Sequence, residues 1–313
     1  MMKIILEILV TIFFVTTFFS TVEPNPAQPV LSIHQAYAAR KQNDSIDIVS
    51  RIVNGQLAVD GQFPHQVRIV FYGTLDCAAN RKLCGGSIIA KNWILTAAHC
   101  VIPDLLDTIF AFEIQAGSVI ADQPQQRKVV LVANAFPHPD YNPDTLENDI
   151  GLIKVDIGFN FDTPLVQPIA LVAANTDKAS YVGKIITASG FGYTHPDDLH
   201  SSPELYYTQL EVIDFELCKT LYADQAQAHN EEDGGIADTS FCAKGLGNSS
   251  TCEGDSGSAV FLEKNGETGK RIQIGLVSYS SALGCNTLPG GYTDVALYIP
   301  WIEETMKANS YKM

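Results

Sequence analysis

From residue 52 to the C-terminus, short apolar runs alternate with segments rich in Gly, Pro, Asn and Asp. Clear runs are Gln66–Tyr72, Ser87–Ala90, Trp93–Ala97, Lys128–Ala133, Ile150–Val155, Lys184–Ser189, Ala259–Glu263 and Arg271–Tyr279. Brief stretches of Val, Ile, Tyr and Phe bounded by turn residues predict strands, and their number predicts an all-β protein. The end of the chain differs. Val295, Ile299, Ile302 and Met306 share one helical face, so a C-terminal helix is expected. Pro300 suits its first turn, where no backbone donor is needed. A second, short helix is expected over Asp214–Tyr222. The Pro-containing stretch Asp162–Gln167 is the expected joint between two β units.

The N-terminus follows another pattern. Lys3 precedes an apolar stretch, Ile4 to Phe19, interrupted by Glu7, and the Pro-rich TVEPNPAQP follows Ser20. That order predicts a signal peptide over residues 1–20, a polar leader over 21–51, and a secreted, extracellular protein. The stretch is short for a membrane span and no second one follows, so no stable membrane anchor is expected. Composition narrows the picture further. Hydrophobic residues are 46% and charged residues 18%, which excludes wholesale disorder. A net charge of −15 excludes a non-specific nucleic-acid binder, which must meet phosphates with a basic face. Export makes disulfides permissible, and seven cysteines leave at least one without a partner in the chain.

Three segments carry candidate chemistry. Gly254-Asp255-Ser256-Gly257 sets a hydroxyl between glycines that let the backbone turn tightly and aim N–H groups at one point. Alone, it reads equally as an ordinary turn. Thr96-Ala97-Ala98-His99-Cys100 offers an imidazole, the natural base near neutral pH, though a His beside a Cys is more often structural. Asn148-Asp149-Ile150-Gly151-Leu152-Ile153 opens an apolar run with a carboxylate, a turn residue unless a histidine tautomer must be fixed.

Taken in order, these segments resemble the trypsin/chymotrypsin family of secreted serine endopeptidases. The resemblance covers nearly all of residues 52–313 and includes Ile52-Val53-Asn54-Gly55, Phe63-Pro64-His65-Gln66-Val67, Cys84-Gly85-Gly86-Ser87, CEGDSGS at 252–258 and Pro289-Gly290-Gly291-Tyr292. It implies two six-stranded antiparallel β-barrels followed by a C-terminal helix, forming one peptidase domain over 52–313. It also implies a hydrolase acting on protein or peptide substrates through Ser256 as nucleophile, His99 as base and then acid, and Asp149 as orienter of the imidazole. The N–H groups of Gly254 and Ser256 would form the oxyanion hole. Ser278 matches a serine beside the buried Asp, and Ser278–Ser280 would pair with bound peptide as an added strand. The cysteines fit three family bridges: Cys84–Cys100, Cys218–Cys242 and Cys252–Cys285. Cys77 is left over. No cofactor is implied, and no ligand cluster for a catalytic metal is visible; acidic calcium ligands are not apparent near Gly117–Arg127.

Arg51 before Ile52 resembles a zymogen activation site. Cleavage by a trypsin-like protease would free the Ile52 ammonium to pair with Asp255. Specificity is read from the primary pocket. Where trypsin-like members carry a carboxylate, six residues before the nucleophile, this chain has Ser250. With Ser280 and Gly290 as the other pocket matches, a chymotrypsin-like preference for large apolar residues is expected, with elastase-like or collagenolytic cleavage as the alternative. Ser280 stands where many members have Gly, and the stretch from Ser278 to Cys285 is one residue longer than the usual pattern. Ser258-Ala259 replaces the commoner Gly-Pro, a change familiar in arthropod members. The acidic stretch Ala226–Asp238, with Glu231, Glu232, Asp233 and Asp238, is expected as a solvated loop or a docking surface. Asn43 and Asn248 open glycosylation triplets. The expected role is digestion, with a regulatory or salivary protease as the alternative and protein inhibitors as possible partners. A binding protein that has lost catalysis would usually lack Ser, His or Asp, and all three are present.

Overall fold

The computed structural model describes residues 52, 54–73, 83–102, 109–193, 201–229, 236–263, 269–281 and 284–310. The signal and leader segments, with Asn43 and Arg51, and also Cys77 and Glu231–Asp233, lie outside the described residues. A two-residue strand, β1 (Gln56–Leu57), is followed by β2 (Gln66–Gly73), β3 (Leu83–Ala90), β4 (Trp93–Thr96), β5 (Ile109–Ala116), β6 (Gln126–Leu131), β7 (Ala135–Pro137) and β8 (Gly151–Lys154). Strands β2–β8 pair in the order β6-β5-β2-β3-β4-β8-β7. Only a three-residue 3₁₀ turn, Val132–Asn134, separates β6 from β7. Residues 126–137 therefore act as one bent strand, bonded to β5 through its first part and to β8 through its second. The bend joins the two edges of the sheet and makes a six-stranded barrel. Val67, Ile69, Ile88, Ile94, Phe112, Ile114 and Ile153 fill it.

The second half holds β9 (Ala170–Leu171), β10 (Ile185–Gly190), β11 (Tyr206–Val212), helix α1 (Phe215–His229), β12 (Ser240–Gly245), β13 (Ala259–Leu262), β14 (Ile272–Tyr279), β15 (Gly290–Asp294) and helix α2 (Ile299–Ala308). Six of these strands form a ring, β11-β10-β13-β14-β15-β12, with β12 pairing back to β11. Every pairing in the ring is antiparallel. Strand β11 shows why: its positions alternate between buried and more open, as a barrel wall requires. Ile186, Leu210, Val212, Phe241, Val260, Ile274 and Tyr292 fill this second barrel.

Two expectations change. Helix α1 runs to His229 rather than stopping at Tyr222, so Ala226–His229 is helical instead of the start of a loop. Asp214 caps it by accepting from the Leu217 N–H at 3.0 Å, and Cys218, bridged to Cys242, anchors it. Strand β3 starts at Leu83, four residues before Ser87, because Cys84–Gly86 pair with Ile69–Val67 despite the poor β-propensity of glycine. At the end, Val295–Tyr298 form a 3₁₀ turn that leads into α2.

The chain ends are exchanged between barrels. Strand β1 pairs with β11 of the second barrel. Helix α2 lays Ile302, Trp301 and Met306 against Trp93, Leu95, Ile150 and Leu152 of the first. Buried polar rungs also cross the junction. Gln66 Nε2 donates to Ser258 Oγ at 3.2 Å, Ser189 Oγ donates to Gln66 Oε1 at 2.9 Å, and Ser87 Oγ donates to Gln273 Oε1 at 2.8 Å.

Candidate active site

Strands β4 and β8 are paired, with Thr96 opposite Gly151. His99 lies three residues past that point on one strand, and Asp149 two residues before it on the other, so the pairing brings them together at one barrel end. The His99 backbone N–H donates to Asp149 Oδ1 at 3.0 Å, and its ring Nδ1 lies 2.8 Å from Oδ2. An ionised carboxylate only accepts, so Nδ1 carries the proton and Nε2 presents its lone pair. Ser278 Oγ donates to the same Oδ2 at 2.6 Å. The second barrel grips the loop as well: Thr293 Oγ1 donates to the Asp149 carbonyl at 2.8 Å, and the Tyr298 hydroxyl to Asn148 Oδ1 at 2.9 Å. Asp149 is fully buried, whereas the His99 side chain is 28% exposed. Burial works against the imidazolium, but the Asp149 charge and its hydrogen bond outweigh it and raise the His99 pKa.

Ser256 sits in the turn between Cys252 and β13. Asp255 N–H donates to the Cys252 carbonyl at 3.0 Å, Ser258 N–H to the Asp255 carbonyl at 2.9 Å, and Gly85 N–H to the Ser256 carbonyl at 2.7 Å. Gly257 has φ +79°, and a Cβ there would lie 2.1 Å from Thr96 Oγ1 and 2.9 Å from Ala97 N. The Ser256 turn is thus packed against the segment that carries His99, and only glycine permits it. Cys84–Cys100, Cys218–Cys242 and Cys252–Cys285 are disulfides in the structure. Cys84, His99 and Cys100 gather their ligand atoms within 4.8 Å, yet both sulfurs are spent in a bridge and offer no thiolate to a metal.

A cavity of about 330 Å³ opens beside Ser256. Ser278 and Ser280 line it, together with Tyr193, Thr251, Cys252, Glu253, Val277, Tyr279, Ser281, Gly284 and Cys285. Ser250 and Gly290 are not in this lining. The buried Ser250 hydroxyl lies within hydrogen-bond reach of two carbonyls, Thr251 at 2.9 Å and Cys285, either of which can take its one proton. Gly290 packs under Tyr292, where a Cβ would come within 2.7 Å of the phenol oxygen. The sequence alone does not mark Tyr193, Thr251 and Tyr279 as pocket residues. Tyr279 owes its place to neighbours distant in the chain: its hydroxyl meets Ser240 Oγ at 3.0 Å and its ring sits edge-on to Tyr222. Ser281, in the stretch with the extra residue, donates to Gln225 Oε1 at 2.9 Å.

Asp255 does not line this cavity. It is fully buried and accepts from Gly192 N–H at 2.8 Å and Cys252 N–H at 2.9 Å. A Cβ on Gly192 would lie 2.6 Å from its carboxyl carbon, so the close approach needs glycine. Burial pushes the Asp255 pKa up to about 7, against the pull of those two N–H groups. Ile52 is buried, and its carbonyl accepts from Gly55 N–H. Asn248 is exposed in a turn at φ +63°, and its carbonyl accepts from Asn54 Nδ2 at 3.0 Å.

Comparison with known proteins completes the picture. The family model described as Trypsin matches residues 52–302. The chain is 33% identical over 255 residues to a collagenase of Hypoderma lineatum, covering 81% of this chain and 86% of that protein. It is 30% identical over 262 residues to transmembrane protease serine 7 of Mus musculus, and 29% identical over 261 residues to transmembrane protease serine 5 of Homo sapiens. These alignments cover 83% and 82% of this chain, but span only 29% and 52% of the length of those two relatives. Among solved structures, HL collagenase superposes with a TM-score of 0.65 at 29% identity, covering 81% of this chain and 98% of that one. The scabies mite inactivated protease paralogue S-D1 shares the fold, with a TM-score of 0.64 at 23% identity over 81% of this chain and 96% of that one.

Proposed function

Because the chain belongs to the trypsin family of serine endopeptidases, we propose that it hydrolyses peptide bonds through Ser256, His99 and Asp149, after large apolar residues. The supporting observation is one carboxylate, Asp149, that holds His99 Nδ1 at 2.8 Å and Ser278 at 2.6 Å, with Ser278 and Ser256 on the wall of one cavity. In this reading His99 Nε2 takes the Ser256 proton as the oxygen attacks the scissile carbonyl. The N–H groups of Gly254 and Ser256 receive the oxyanion. His99 then gives the proton to the departing amine, and water repeats the sequence on the acyl-enzyme. Ser256→Ala is expected to remove nearly all amidase activity, together with labelling by a serine-directed phosphonate. Peptide hydrolysis at a comparable rate by that variant would refute the mechanism.

Among the described residues the only charged group lining the cavity is Glu253, which is exposed, so the interior offers no counter-ion to a buried Arg or Lys. Such a side chain would lose hydration without return, whereas an apolar one gains roughly 25 cal/mol per Å² buried. A Phe or Leu anilide is therefore expected to exceed the matched Arg anilide by at least about tenfold in kcat/KM. Ser280→Gly would widen the wall and shift the order toward Phe. A second reading, collagenolytic cleavage, is favoured by the named collagenase relative.

We further propose a secreted zymogen with a digestive role, cut between Arg51 and Ile52 by a trypsin-like protease and open to protein inhibitors. Mild trypsin should convert a nearly inactive precursor into enzyme whose sequence begins at Ile52. An Arg51→Gln precursor that still matures with trypsin would remove the assignment. Among the described residues no helix is long and apolar enough to cross a membrane.

A further inference from the structure

The turn that follows β12 lies outside the cavity and beside the start of the peptidase domain. Gly247 and Asn248 both have φ +63°, and the Ser249 N–H closes the turn on the Leu246 carbonyl at 3.4 Å. Two contacts fix its seat. Ser249 Oγ meets Thr208 Oγ1 of β11 at 2.5 Å, and the adjacent Tyr207 pairs with Gln56 of β1. Asn54 Nδ2 donates to the Asn248 carbonyl at 3.0 Å. Asn54 and Asn248 are both exposed. Among the described residues no hydrogen bond involves the Asn248 side-chain amide, and Asn248 does not line the cavity beside Ser256. Residues 248–250 read Asn-Ser-Ser, the acceptor triplet for an N-linked sugar in an exported protein.

From this placement we propose that Asn248 carries an N-linked oligosaccharide, and that the sugar screens the activating cut between Arg51 and Ile52. The inference rests on the reading of the chain as secreted and cut there. In the transfer, Asn248 Nδ2 loses a proton and bonds the anomeric carbon of the first sugar. The sugar–phosphate bond of a polyisoprenyl-diphosphate oligosaccharide breaks, the diphosphate leaves, and nothing is oxidised or reduced. Ser250, the third residue of the triplet, is buried with its hydroxyl between the Thr251 and Cys285 carbonyls, so the transfer precedes closure of this turn. In the folded protein the sugar is then held beside Asn54. Asn54 is two residues past Ile52, and chain geometry keeps its Cα within about 8 Å of the Ile52 Cα. A protease that cuts after Arg51 takes the flanking residues in extended form, and Asn54 is the third beyond the bond. A bulky, hydrophilic sugar on the residue bonded to Asn54 narrows that approach. The cavity stays open, so the activated enzyme handles small substrates as before.

The test uses full-length precursor secreted from eukaryotic cells, with Asn43→Gln in every form so that no leader sugar intervenes. Peptide mass spectrometry should find an oligosaccharide on Asn248, and a bare Asn248 would overturn the inference. Two variants lack the sugar: Asn248→Asp, which tolerates the left-handed turn, and Asn248→Gln, which stays neutral. With limiting trypsin, kcat/KM for release of a chain beginning at Ile52 should be at least about threefold lower for the glycosylated precursor than for either variant. Glycosylated precursor stripped by peptide N-glycosidase, which leaves an aspartate at that position, should match Asn248→Asp. Equal rates with and without the sugar would overturn the screening role. So would fast cutting of the variants while the stripped precursor stays slow, which would place the effect in an altered turn. After activation and phosphonate titration, all forms should hydrolyse a Phe anilide equally. A sugar that slowed this reaction too would be acting at the cavity, and its placement beside Asn54 would be wrong. If trypsin released no chain beginning at Ile52 from any form, the activation reading would fail and the screening role with it, while the peptide masses would still report on Asn248.

Discussion

Asp149 and Asp255 are both fully buried carboxylates, and their surroundings could hardly differ more. Asp149 collects a backbone N–H, an imidazole N–H and a hydroxyl, all aimed at its two oxygens. Asp255 has two backbone N–H groups from the described residues and a pKa driven up to about 7. One site shares its charge with a histidine that can become cationic. The other holds a charge that the protein disfavours. Burial alone therefore does not define what a carboxylate does; the unmet part of its requirement does. Asp149 has three donors on its two oxygens, whereas Asp255 has two backbone donors among the described residues, and we propose the Ile52 ammonium as its further partner after cleavage.

The contrast can be broken at either end. Asp149→Asn is expected to lower kcat by about 10⁴-fold, the scale familiar from triads of this family, because the amide can donate to Nδ1 and reverse the tautomer. Crystals of the variant should show an unchanged fold, and a loss below tenfold would make Asp149 a bystander. Asp255→Asn should be cut normally by trypsin at Arg51 yet yield about 10²- to 10³-fold less activity, the scale of leaving one member of a buried pair unmatched. Full activity after cleavage would separate Asp255 from activation.

Gentler changes sharpen the comparison. Ser278→Ala deprives the Asp149 anion of one donor and should cost roughly tenfold in kcat/KM, the scale of one hydrogen bond to a charged group. It should also move the acid limb of the pH profile upward, since a less satisfied carboxylate holds the His99 proton more tightly. In the native enzyme, activity should already fall as pH drops through a His99 pKa above its usual value, because the protonated ring cannot accept from Ser256. The smallest effect is on stability. The folded pKa of Asp255 lies above its unfolded value near 3.8, so the precursor binds more protons folded than unfolded between about pH 4 and 7. Its stability from this group should fall as pH rises through that window, by at most about 1.4 kcal/mol per pH unit. Ammonium pairing after cleavage should flatten the slope, which denaturant titrations of precursor and activated protein at pH 5 and 7 would reveal.

Much of this is legible in the amino-acid sequence, for identifiable reasons. His99, Asp149 and Ser256 stand in short segments where chemistry and tight turns restrict the choice of residue, and Gly257 is required by a positive φ and a close approach. The apolar runs mark the walls of both barrels because strands facing a core repeat every two residues. What the sequence does not reveal depends on partners far away in the chain. Ser250 reads as a pocket residue by position, and no local pattern announces that its hydroxyl lies between the Thr251 and Cys285 carbonyls. Tyr193 and Tyr279 reach the cavity through the second barrel's closure, which no local pattern announces. The extension of α1 to His229 has weak amphipathic periodicity and becomes visible only with the bridge to Cys242 and the packing of Leu221 and Tyr222.

The exchange of chain ends between barrels bears on how such an enzyme is made. Residues leave a ribosome in order, so the first barrel emerges while the helix that covers Trp93, Leu95 and Leu152 is still unsynthesised. Its histidine and aspartate then wait for Ser278 and Thr293, and the serine turn waits for its Cys285 tether. Every nascent fragment short of the last strands lacks part of the site, and one short of α2 lacks the packing over Trp93, Leu95, Ile150 and Leu152. A chain that stops before Ser278, Cys285 and Thr293 therefore cannot complete the arrangement around Asp149 and Ser256.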